Sequence, residues 1–379
     1  MLNVAIIGTG NISPSHITAY LKFPDRAKIV ALADIYPDKA ERRKKEYNLD
    51  CDIVGSHTAL IGRKDIDLVS VCTPPYVHGG IAVDFLNDGK NVLIEKPMAA
   101  SLEECDTVIA AAKRSGKLLS VVSQRRFTNS VWKLKKVLDS GLAGKVLHAQ
   151  VDSCWWRGHS YYDLWWRGSW EKENGGCTLN HAVHHIDMLC WIKGLPKQLS
   201  AFISNVAHDN AEVEDLSSAI LKYGDNSIGH LTSSVVHHGE EQKLIFQCER
   251  AKISAPWDPL ASSGQADGFP YENLEYKQKL QAFYDAIPDL RFEGHAGQIG
   301  DVLDAIETNR EPVVTGEQGR AAIELISAIY KSGSSGKTVD LPLRRDDPFY
   351  TLSGKLKNVP HFYKKSGAVQ NFKEKSIIY

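Results

Sequence analysis

Short apolar runs alternate with segments of helical character over the first 123 residues, and this alternation strongly limits the folds open to the chain. The apolar runs are LNVAIIG (2–8), KIVALAD (28–34), IDLVSVCTP (66–74), NVLIEKP (91–97) and KLLSVVS (117–123). Continuous apolar strands separated by helices such as 101–116 predict a parallel, doubly wound sheet covered on both faces. Ligands of such sheets bind outside the carboxyl ends of the strands.

The first of these strands ends in a glycine-rich turn, GTGNIS, which suits a dinucleotide. Gly8 permits the tight turn, and Gly10 lets backbone N–H groups approach a pyrophosphate at the start of the next helix. The motif is an imperfect GxGxxG, because Ser13 stands where the third glycine would be. Its place between a strand and a helix favours a nucleotide site over a chance glycine turn in a sheet that binds no nucleotide.

The end of the second strand indicates which dinucleotide is bound. Asp34 closes that strand, and a carboxylate there can accept hydrogen bonds from both ribose hydroxyls. The next residues, Ile35 and Tyr36, provide no arginine for a 2′-phosphate. The sequence therefore predicts NAD rather than NADP.

A lysine follows the fourth apolar run in the motif Glu95-Lys96-Pro97. An ammonium at the carboxyl end of a parallel strand points toward the nicotinamide side of the crevice. Partial desolvation beside a pyridinium would lower the pKa of this lysine and allow proton exchange with a substrate hydroxyl. Taken alone, Lys96 is better explained as a surface lysine in a strand-to-loop corner.

Several motifs together resemble the Gfo/Idh/MocA family of sugar and polyol oxidoreductases, over about nine-tenths of the chain. They are GTGNIS, VCTPPYVHGG (71–80), EKPMA, GGCTLNHAVHHID (175–187), residues 294–333 and KTVDLPL (337–343). The resemblance implies an N-terminal Rossmann domain and a C-terminal α/β domain with an open, mostly antiparallel sheet. Predicted boundaries are 1–124, 125–343 and a C-terminal arm, 344–379. The last helix and strand of the second domain are expected to pack back on the first.

The second half of the chain supports that expectation. Six segments alternate apolar and polar residues between turns, as strands with one covered face do: KVLHAQVDSC, KQLSAFISNVA, DLSSAILKYG, NSIGHLTSSVV, QKLIFQCER and AKISAP. The uncovered face of this sheet is predicted to pair with another subunit.

Three histidines lie within NHAVHHID, residues 180–187, which is predicted to begin a helix that runs to about Lys193. A spacing of four places Asn180 and His184 on one face. The family resemblance implies that Lys96 and His184 act together at the reacting carbinol, and that Asn180 hydrogen-bonds the substrate. Inositol dehydrogenase-like members have Asp at the position of Asn180. Since an amide cannot act as a base, the proton relay would rest on Lys96 and His184.

A zinc site is the alternative interpretation of the same stretch. His181 and His185 have the i, i+4 spacing of a zinc pair, and Cys177 or Asp187 could complete it. The spacing is common, and the family's chemistry usually needs no metal, so no metal is predicted. For His181 and His185 a structural or solvent-facing role remains open.

The aromatic segment, WWRGHSYYDLWWRGSW (155–170), holds five of the eight tryptophans. Indole faces suit the C–H faces of pyranose rings, and guanidinium groups can bind hydroxyls or phosphates. The alternative is that these aromatics fill a core or a subunit contact. The predicted substrate-binding residues are Asn180, Tyr161, Trp166, Arg126 and His181.

The predicted activity is NAD-dependent oxidation of a secondary carbinol of a sugar, glycoside or cyclitol, with a pyranoside oxidised at ring carbon 3 favoured. A redox-neutral glycosidase or lyase of the same family, and a catalytically silent sensing protein, are the alternatives. The predicted cofactor contacts are Gly8, Thr9, Gly10, Asn11, Ile12, Asp34, Thr73, Pro74, His78, Glu95, Lys96, Gln124 and Arg167.

Composition limits the partners. The formal net charge of −1 gives no case for nucleic acid or a membrane surface. The opening strand is no signal peptide, no apolar run of about 18 residues is present, and the seven scattered cysteines show no CxxC, so free thiols in the cytoplasm are expected. The lysine-rich, aromatic arm is predicted to help build a homo-oligomer, a dimer or a tetramer, unless it is a solvated tail.

Overall fold

The computed structural model describes residues 1–369 and divides the chain into two compact units. The first unit contains Met1–Lys133 and Ile287–Ile323, and the second contains Leu134–Ala286 and the chain from Glu324 onward. Residues 370–379, which include the predicted arm aromatics Phe372 and Tyr379, lie outside the described residues.

Residues 1–369 form fifteen strands and twelve α-helices. The strands are β1 Leu2–Ile7, β2 Ala27–Ala33, β3 Asp52–Val54, β4 Leu68–Val71, β5 Asn91–Ile94, β6 Leu119–Val121, β7 Val146–Cys154, β8 Gln198–Ser204, β9 Leu216–Lys222, β10 Ile228–Ser234, β11 Gln242–Cys248, β12 Lys252–Ala255, β13 Ser262–Gly264, β14 Pro270–Glu272 and β15 Val339–Asp340. The helices are α1 Ser13–Tyr20, α2 Pro37–Glu46, α3 His78–Asn87, α4 Leu102–Ser115, α5 Asn129–Asp139, α6 Trp170–Glu173, α7 Cys177–Asn180, α8 Val183–Lys193, α9 Leu274–Ala286, α10 Gly294–Thr308, α11 Gly316–Ser335 and α12 Leu352–Asn358. No helix in this part of the chain is long and apolar enough to cross a bilayer.

The first unit is built on a parallel sheet of six strands in the order β3-β2-β1-β4-β5-β6. The strand order reverses between β1 and β4, so their carboxyl ends flank the crevice where doubly wound sheets bind ligands. Five of its strands match the five predicted apolar runs, and the predicted doubly wound fold is confirmed. The three-residue β3 was missed, because its length leaves no periodic pattern.

The helix predicted from residue 101 shows why local sequence sufficed in this unit. Ser101 caps α4 by accepting a hydrogen bond from the Glu104 N–H. Gly116 ends the helix in the left-handed region at φ 65°. Both signals lie within a few residues of the ends that they define.

Helix α10 extends the first unit beyond its predicted boundary at 124. Ala296, Ile299, Val302 and Leu303 of this helix join the same buried apolar cluster as Val4 and Ile6 of β1. Burial of this face explains why residues 287–323 belong with a sheet that ended far earlier in the chain. The last strand was also expected to pack on the first domain, but it pairs, as β15, with β8 in the second unit.

The second unit contains a seven-stranded sheet in the order β12-β11-β7-β10-β9-β8-β15. Only β7 and β10 run parallel, which confirms the predicted, mostly antiparallel sheet. Burial alternates along the strands: Ala219 and Leu221 of β9 are buried, whereas Ile220 between them is 51% exposed. One face of this sheet is therefore open in the described chain, as the alternating pattern predicted.

The described part of the arm packs on the aromatic segment of its own unit. The Trp170 indole N–H donates to the carbonyl of Pro360. Val369 forms a parallel bridge with Leu164, with hydrogen bonds to Asp163 and Trp165. None of the seven cysteines, all of which lie within residues 1–369, forms a disulfide.

Candidate active site

The turn after β1 is closed by a glycine that no other residue could replace without a shift. Gly8 has φ +91°, and an added Cβ would lie 2.8 Å from the carbonyl carbon and oxygen of Cys72. Nothing lies within 4 Å of the position that a Cβ on Gly10 would take. Ser13, in place of the third glycine, donates to the carbonyl of Gly10. The loop thus has the tight turn and the open approach that a pyrophosphate needs.

The Asp34 carboxylate is fixed at the end of β2 by the glycine loop itself. Thr9 donates to it from its backbone N–H at 2.7 Å and from its hydroxyl at 2.8 Å. The N–H of Tyr36 donates to the other oxygen at 2.9 Å. A carboxylate has about four acceptor positions, so one remains for a ribose hydroxyl.

Arg43 is a residue near this loop that sequence reasoning missed. Its guanidinium donates to the carbonyl of Gly10 at 3.3 Å and pairs with Glu46, and its Nε is buried with no hydrogen-bond partner among the described residues. No local signal marked it, because α2 (PDKAERRKKE) carries eight charged side chains in ten residues. Arg43 therefore brings a cation to the glycine loop. The sequence prediction of NAD rested only on Ile35 and Tyr36, the uncharged residues directly after Asp34.

Two predicted cofactor contacts carry buried polar atoms that lack partners. The Thr73 hydroxyl and the Gln124 side-chain carbonyl are both buried, and neither has a hydrogen-bond partner within residues 1–369. They follow β4 and β6, at the same edge of the sheet as the glycine loop. Native structures rarely leave buried polar atoms unsatisfied, so these two atoms fit a site that is completed by a polar ligand such as a dinucleotide.

The residue before Lys96 is locked in place by two histidines. Glu95 is 4% exposed, and one of its oxygens lies 3.0 Å from Nε2 of His16 and 3.4 Å from Nε2 of His295. The other oxygen accepts the backbone N–H of Lys96. Burial alone would raise the pKa of Glu95, but the hydrogen bonds from His16 and His295 hold it well below its usual value. Glu95 therefore orients the Lys96 corner as an ionised carboxylate.

His78 ties the Lys96 corner to the loop after β4. One ring nitrogen lies 2.8 Å from the carbonyl of Pro97, and the other lies 2.7 Å from the carbonyl of Thr73. Burial lowers the pKa of His78, although both carbonyl contacts favour the protonated ring. His78 is 1% exposed, so this predicted cofactor contact binds the two loops around the site through its ring nitrogens.

In the second unit, the segment that leads into the predicted catalytic helix is organised by a buried carboxylate, Glu214. It accepts the N–H groups of Gly176 and Thr178 and the hydroxyl of Tyr330. Complete burial raises the pKa of Glu214 to about 7, and these hydrogen bonds oppose the shift. A Cβ on Gly176 would lie 1.8 Å from the carbonyl oxygen of Glu214. Only glycine therefore fits beside this carboxylate.

The predicted helix from Asn180 to about Lys193 is present as α8, but it begins three residues later, at Val183. Asn180 itself ends the preceding short helix, α7. The Asn180 side-chain amide donates to the carbonyls of Gly175 and Gly176, which closes the preceding loop. The contacts with Glu214 fix this loop and the start of α7. Asn180 and His184 consequently do not share the face of one continuous helix.

The histidines of this stretch differ in burial. His184 and His181 are half-buried, whereas His185 is 4% exposed. The Cys177 thiol is fully buried and donates to the carbonyl of Ser233. Across residues 1–369, only His16, Glu95 and His295 bring three metal-ligating atoms within 4.8 Å of one another. The zinc set considered for His181, His185 and Cys177 is not assembled.

Three predicted ligand-contact residues, Tyr161, Trp166 and Arg167, pack together in the aromatic segment. The guanidinium of Arg167 lies between the rings of Tyr161 and Trp166, 4.1 and 4.2 Å from their centres. It pairs with the buried carboxylate of Glu173 at 3.0 Å and also donates to the Tyr161 hydroxyl. The ring of His181 lies 5.6 Å from that of Tyr161. Four of the predicted contact residues thus form one cluster.

Arg126 is placed differently from the other predicted substrate contacts. It is 1% exposed, and its guanidinium donates to the side chain of Gln318 and the carbonyl of Val313. A substrate contact would require the guanidinium to leave these partners. Sequence alone could not show this, because both partners lie far along the chain.

Comparison with known proteins agrees with the geometry of both units. The family model described as "Oxidoreductase family, NAD-binding Rossmann fold" matches residues 2–123, and the "GFO/IDH/MocA C-terminal domain" model matches residues 131–254. The fold and the nucleotide loop thus define an oxidoreductase with an NAD-binding Rossmann domain. The chain belongs to the GFO/IDH/MocA family, which confirms the resemblance seen in the sequence.

Individual relatives cover nearly the whole chain. A 2,7-anhydro-N-acetylneuraminate hydratase of Mediterraneibacter gnavus is 26% identical over 372 residues, which span 89% of this chain and 96% of the relative. An inositol 2-dehydrogenase of Rhizobium meliloti is 24% identical, with 89% and 98% covered. The WlbA dehydrogenase of Bordetella pertussis, solved with NADH and UDP-GlcNAcA, superposes with a TM-score of 0.76 at 25% identity, covering 90% of this chain and 99% of that one.

Proposed function

We propose that this enzyme oxidises a secondary carbinol of a sugar, glycoside or cyclitol, and that Lys96 and His184 form its proton relay. The observation that carries this proposal is the placement of Lys96. The lysine lies two residues after β5 at the ligand-binding edge of the sheet, and its backbone is fixed by Glu95, which is itself held by His16 and His295. A catalytic base needs such a rigid support to stay within hydrogen-bond distance of the substrate hydroxyl.

In this mechanism the protein's own residues remove the proton from the substrate hydroxyl. Lys96 accepts the proton of the substrate hydroxyl, and His184 assists by hydrogen bonding at the same oxygen. Bound NAD supplies the hydride acceptor, C4 of the nicotinamide. Asn180 contributes hydrogen bonds only, since an amide does not titrate.

The cofactor would be held by the residues that fit it in the first unit. Gly8, Gly10, Asn11 and Ile12 would offer the turn and the backbone of the glycine loop, and Asp34 would bind the ribose. Thr73 and Gln124 would use polar atoms that have no partner within the described chain. Pro74 lies in the same loop as Thr73.

The substrate side would be formed by the cluster of Tyr161, Trp166, Arg167 and His181. Flat aromatic faces stacked on a guanidinium suit the C–H face of a sugar ring. Within this scheme, a pyranoside oxidised at ring carbon 3 is the substrate that we favour.

A redox-neutral reaction is the second candidate, and the name of one relative favours it. The 2,7-anhydro-N-acetylneuraminate hydratase aligns with 89% of this chain. A hydratase adds or removes water without net oxidation, so its name describes a redox-neutral reaction within a family of oxidoreductases. Transient oxidation by bound NAD would acidify the neighbouring C–H and permit elimination, after which the reduced cofactor would return the hydride.

One experiment separates the two candidates. Purified enzyme is incubated with NAD or NADP and a panel of glycosides, inositols and anhydro-sugars. NADH formation is followed at about 340 nm, the usual absorbance of a reduced nicotinamide, and products are separated by chromatography. A dehydrogenase accumulates NADH in step with a keto product. Product without NADH establishes the redox-neutral reaction, and neither signal across the panel contradicts both.

We also propose that the protein is a homo-oligomer that assembles through the open face of the second sheet. Phe202 of β8 is 81% exposed, and Ile220 and Ile228 on the neighbouring strands are about half exposed. Exposed apolar side chains grouped on one face are typical of a subunit contact. The presence of seven cysteines with no disulfide among them supports a reducing compartment such as the cytoplasm.

A further inference from the structure

The arm holds the backbone of the aromatic segment at several points. Val369 accepts the N–H of Trp165 at 3.0 Å and donates its own N–H to Asp163 at 2.8 Å. Lys365 donates its ammonium to the carbonyl of Tyr162. Pro360 accepts the indole N–H of Trp170 at 2.9 Å. The arm therefore contacts the segment near both ends of residues 162–170.

The contact is close enough to exclude larger side chains from the arm. A Cβ on Gly367 would lie 2.5 Å from Cα of Asp163 and 3.0 Å from its carbonyl oxygen. The Asp163 carboxylate also accepts a hydrogen bond from the side-chain amide of Asn210 at 2.8 Å. The backbone at Asp163 is thus held by both the arm and the loop that contains Asn210.

The residues that the arm binds lie directly beside those of the proposed substrate cluster in the sequence. Its partners are the backbones of residues 162, 163 and 165 and the indole of Trp170. The cluster is made by the side chains of Tyr161, Trp166 and Arg167. A displacement of the backbone at 162–165 would move Tyr161 on one side and Trp166 on the other.

We propose that the arm, through residues 360–369, is a positioning element of the carbohydrate site that sets its affinity for substrate. This inference rests on the proposed function, because it requires Tyr161 and Trp166 to contact the carbohydrate. Its contacts named above are all with the second unit, so the arm acts on sugar recognition and leaves the glycine loop and Lys96 unchanged.

The test uses full-length variants with a matched control. Lys365→Met removes the ammonium that binds the Tyr162 carbonyl, and Gly367→Val forces the arm away from Asp163. Lys364→Met is the control, because Lys364 is exposed next to Lys365. Hydrogen exchange of peptides covering 161–170, thermal unfolding, the dissociation constant of NAD, and KM and kcat for the best carbohydrate are measured.

Faster exchange over 161–170 is expected in Lys365→Met and Gly367→Val, together with a KM for carbohydrate raised by roughly tenfold, which a small misplacement of binding groups can produce. The dissociation constant of NAD should rise less than the KM for carbohydrate in both, because Arg167 is the one predicted cofactor contact in the segment, and Lys364→Met should match the wild type throughout. A purely structural role would lower the unfolding temperature without raising KM.

Unchanged KM in both variants, with or without faster exchange, would overturn the inference. Failure of the proposed function is a separate result. In that case the wild-type enzyme itself turns over no member of the carbohydrate panel, and the substrate role of the arm falls with it.

Discussion

At the scale of single residues, two buried carboxylates hold the segments that carry the proposed catalytic side chains. Glu95 fixes the backbone of Lys96, and Glu214 fixes the loop before His184. They differ in ionisation because of their partners. Two histidines hold the pKa of Glu95 well below its usual value, whereas burial raises that of Glu214 to about 7.

The raised pKa of Glu214 predicts a particular dependence of stability on pH. Its proton is bound more tightly in the folded state, so its contribution to the free energy of unfolding is full below about pH 4.5 and is lost as pH rises through about 7. Glu214→Gln imitates the protonated carboxyl and does not titrate. The stability of the wild type relative to this variant should fall by roughly 3 kcal/mol across that interval.

Urea unfolding at about pH 4 and about pH 8, on either side of this titration, measures the difference. The exposed Glu171→Gln provides the control, since its side chain is not in this buried network. A constant difference between wild type and Glu214→Gln over this range would show that Glu214 stays ionised.

The proposed relay predicts non-additive losses. Lys96→Ala or His184→Ala should each lower kcat by about 10²–10⁴-fold, as expected for loss of a general acid or base. Because both residues act on one proton, the double variant should lose far less than the product of the single losses. His184→Ala should leave the dissociation constant of NAD nearly unchanged, and EDTA should have no effect.

Exposed Lys117→Ala is the matched control for the lysine and should retain full turnover. Single variants that keep most of their activity would exclude the relay. Abolition by EDTA with recovery on addition of zinc would replace it with a metal mechanism.

At the scale of elements, contacts with a residue far along the chain fix the start of α7, the short helix before α8. The carboxylate and carbonyl of Glu214 bind the N–H groups of Gly176, Cys177 and Thr178, and the Cys177 N–H also lies at the start of α7. These contacts satisfy backbone N–H groups at the start of α7, which have no acceptor within the helix itself. The stretch therefore gains a fixed entry to α8.

Gly176→Ala is predicted to disturb this element. The new methyl group would overlap the carbonyl of Glu214, so we expect the free energy of unfolding to fall by about 1–3 kcal/mol and turnover to drop. Gly80→Ala is the matched control. Gly80 lies exposed in α3 with open space around its Cβ position, so alanine there should be neutral or slightly stabilising.

Denaturant unfolding and kcat at saturating NAD check both variants. If Gly176→Ala behaves like Gly80→Ala, the close approach of Glu214 to this loop is wrong.

At the scale of the whole molecule, the open face of the second sheet predicts self-association. Phe202→Lys would place a charge at the most exposed apolar position of β8, and the cost of burying it should favour the monomer. Light scattering at micromolar protein should show an oligomer for the wild type and a smaller species for the variant. Phe269→Lys, in the loop between β13 and β14 and 68% exposed, is the control and should remain oligomeric. A monomeric wild type would refute the proposal.

The sequence by itself determined the parts of this protein that depend on neighbouring residues. Apolar runs predicted five strands of the first sheet and six of the second, and the glycine turn with Asp34 predicted the nucleotide loop. These features are local, because strand burial and turn geometry are specified within a few residues of each other.

Only the tertiary structure decided what depends on residues far apart in the chain. It added α10 to the first unit, brought Arg43 to Gly10, joined His16 and His295 at Glu95, and fixed the start of α7 with Glu214. It also laid the arm on the aromatic segment of its own unit. A buried polar group takes whichever partner the fold brings within hydrogen-bond distance, and no periodic pattern along the chain records that partner.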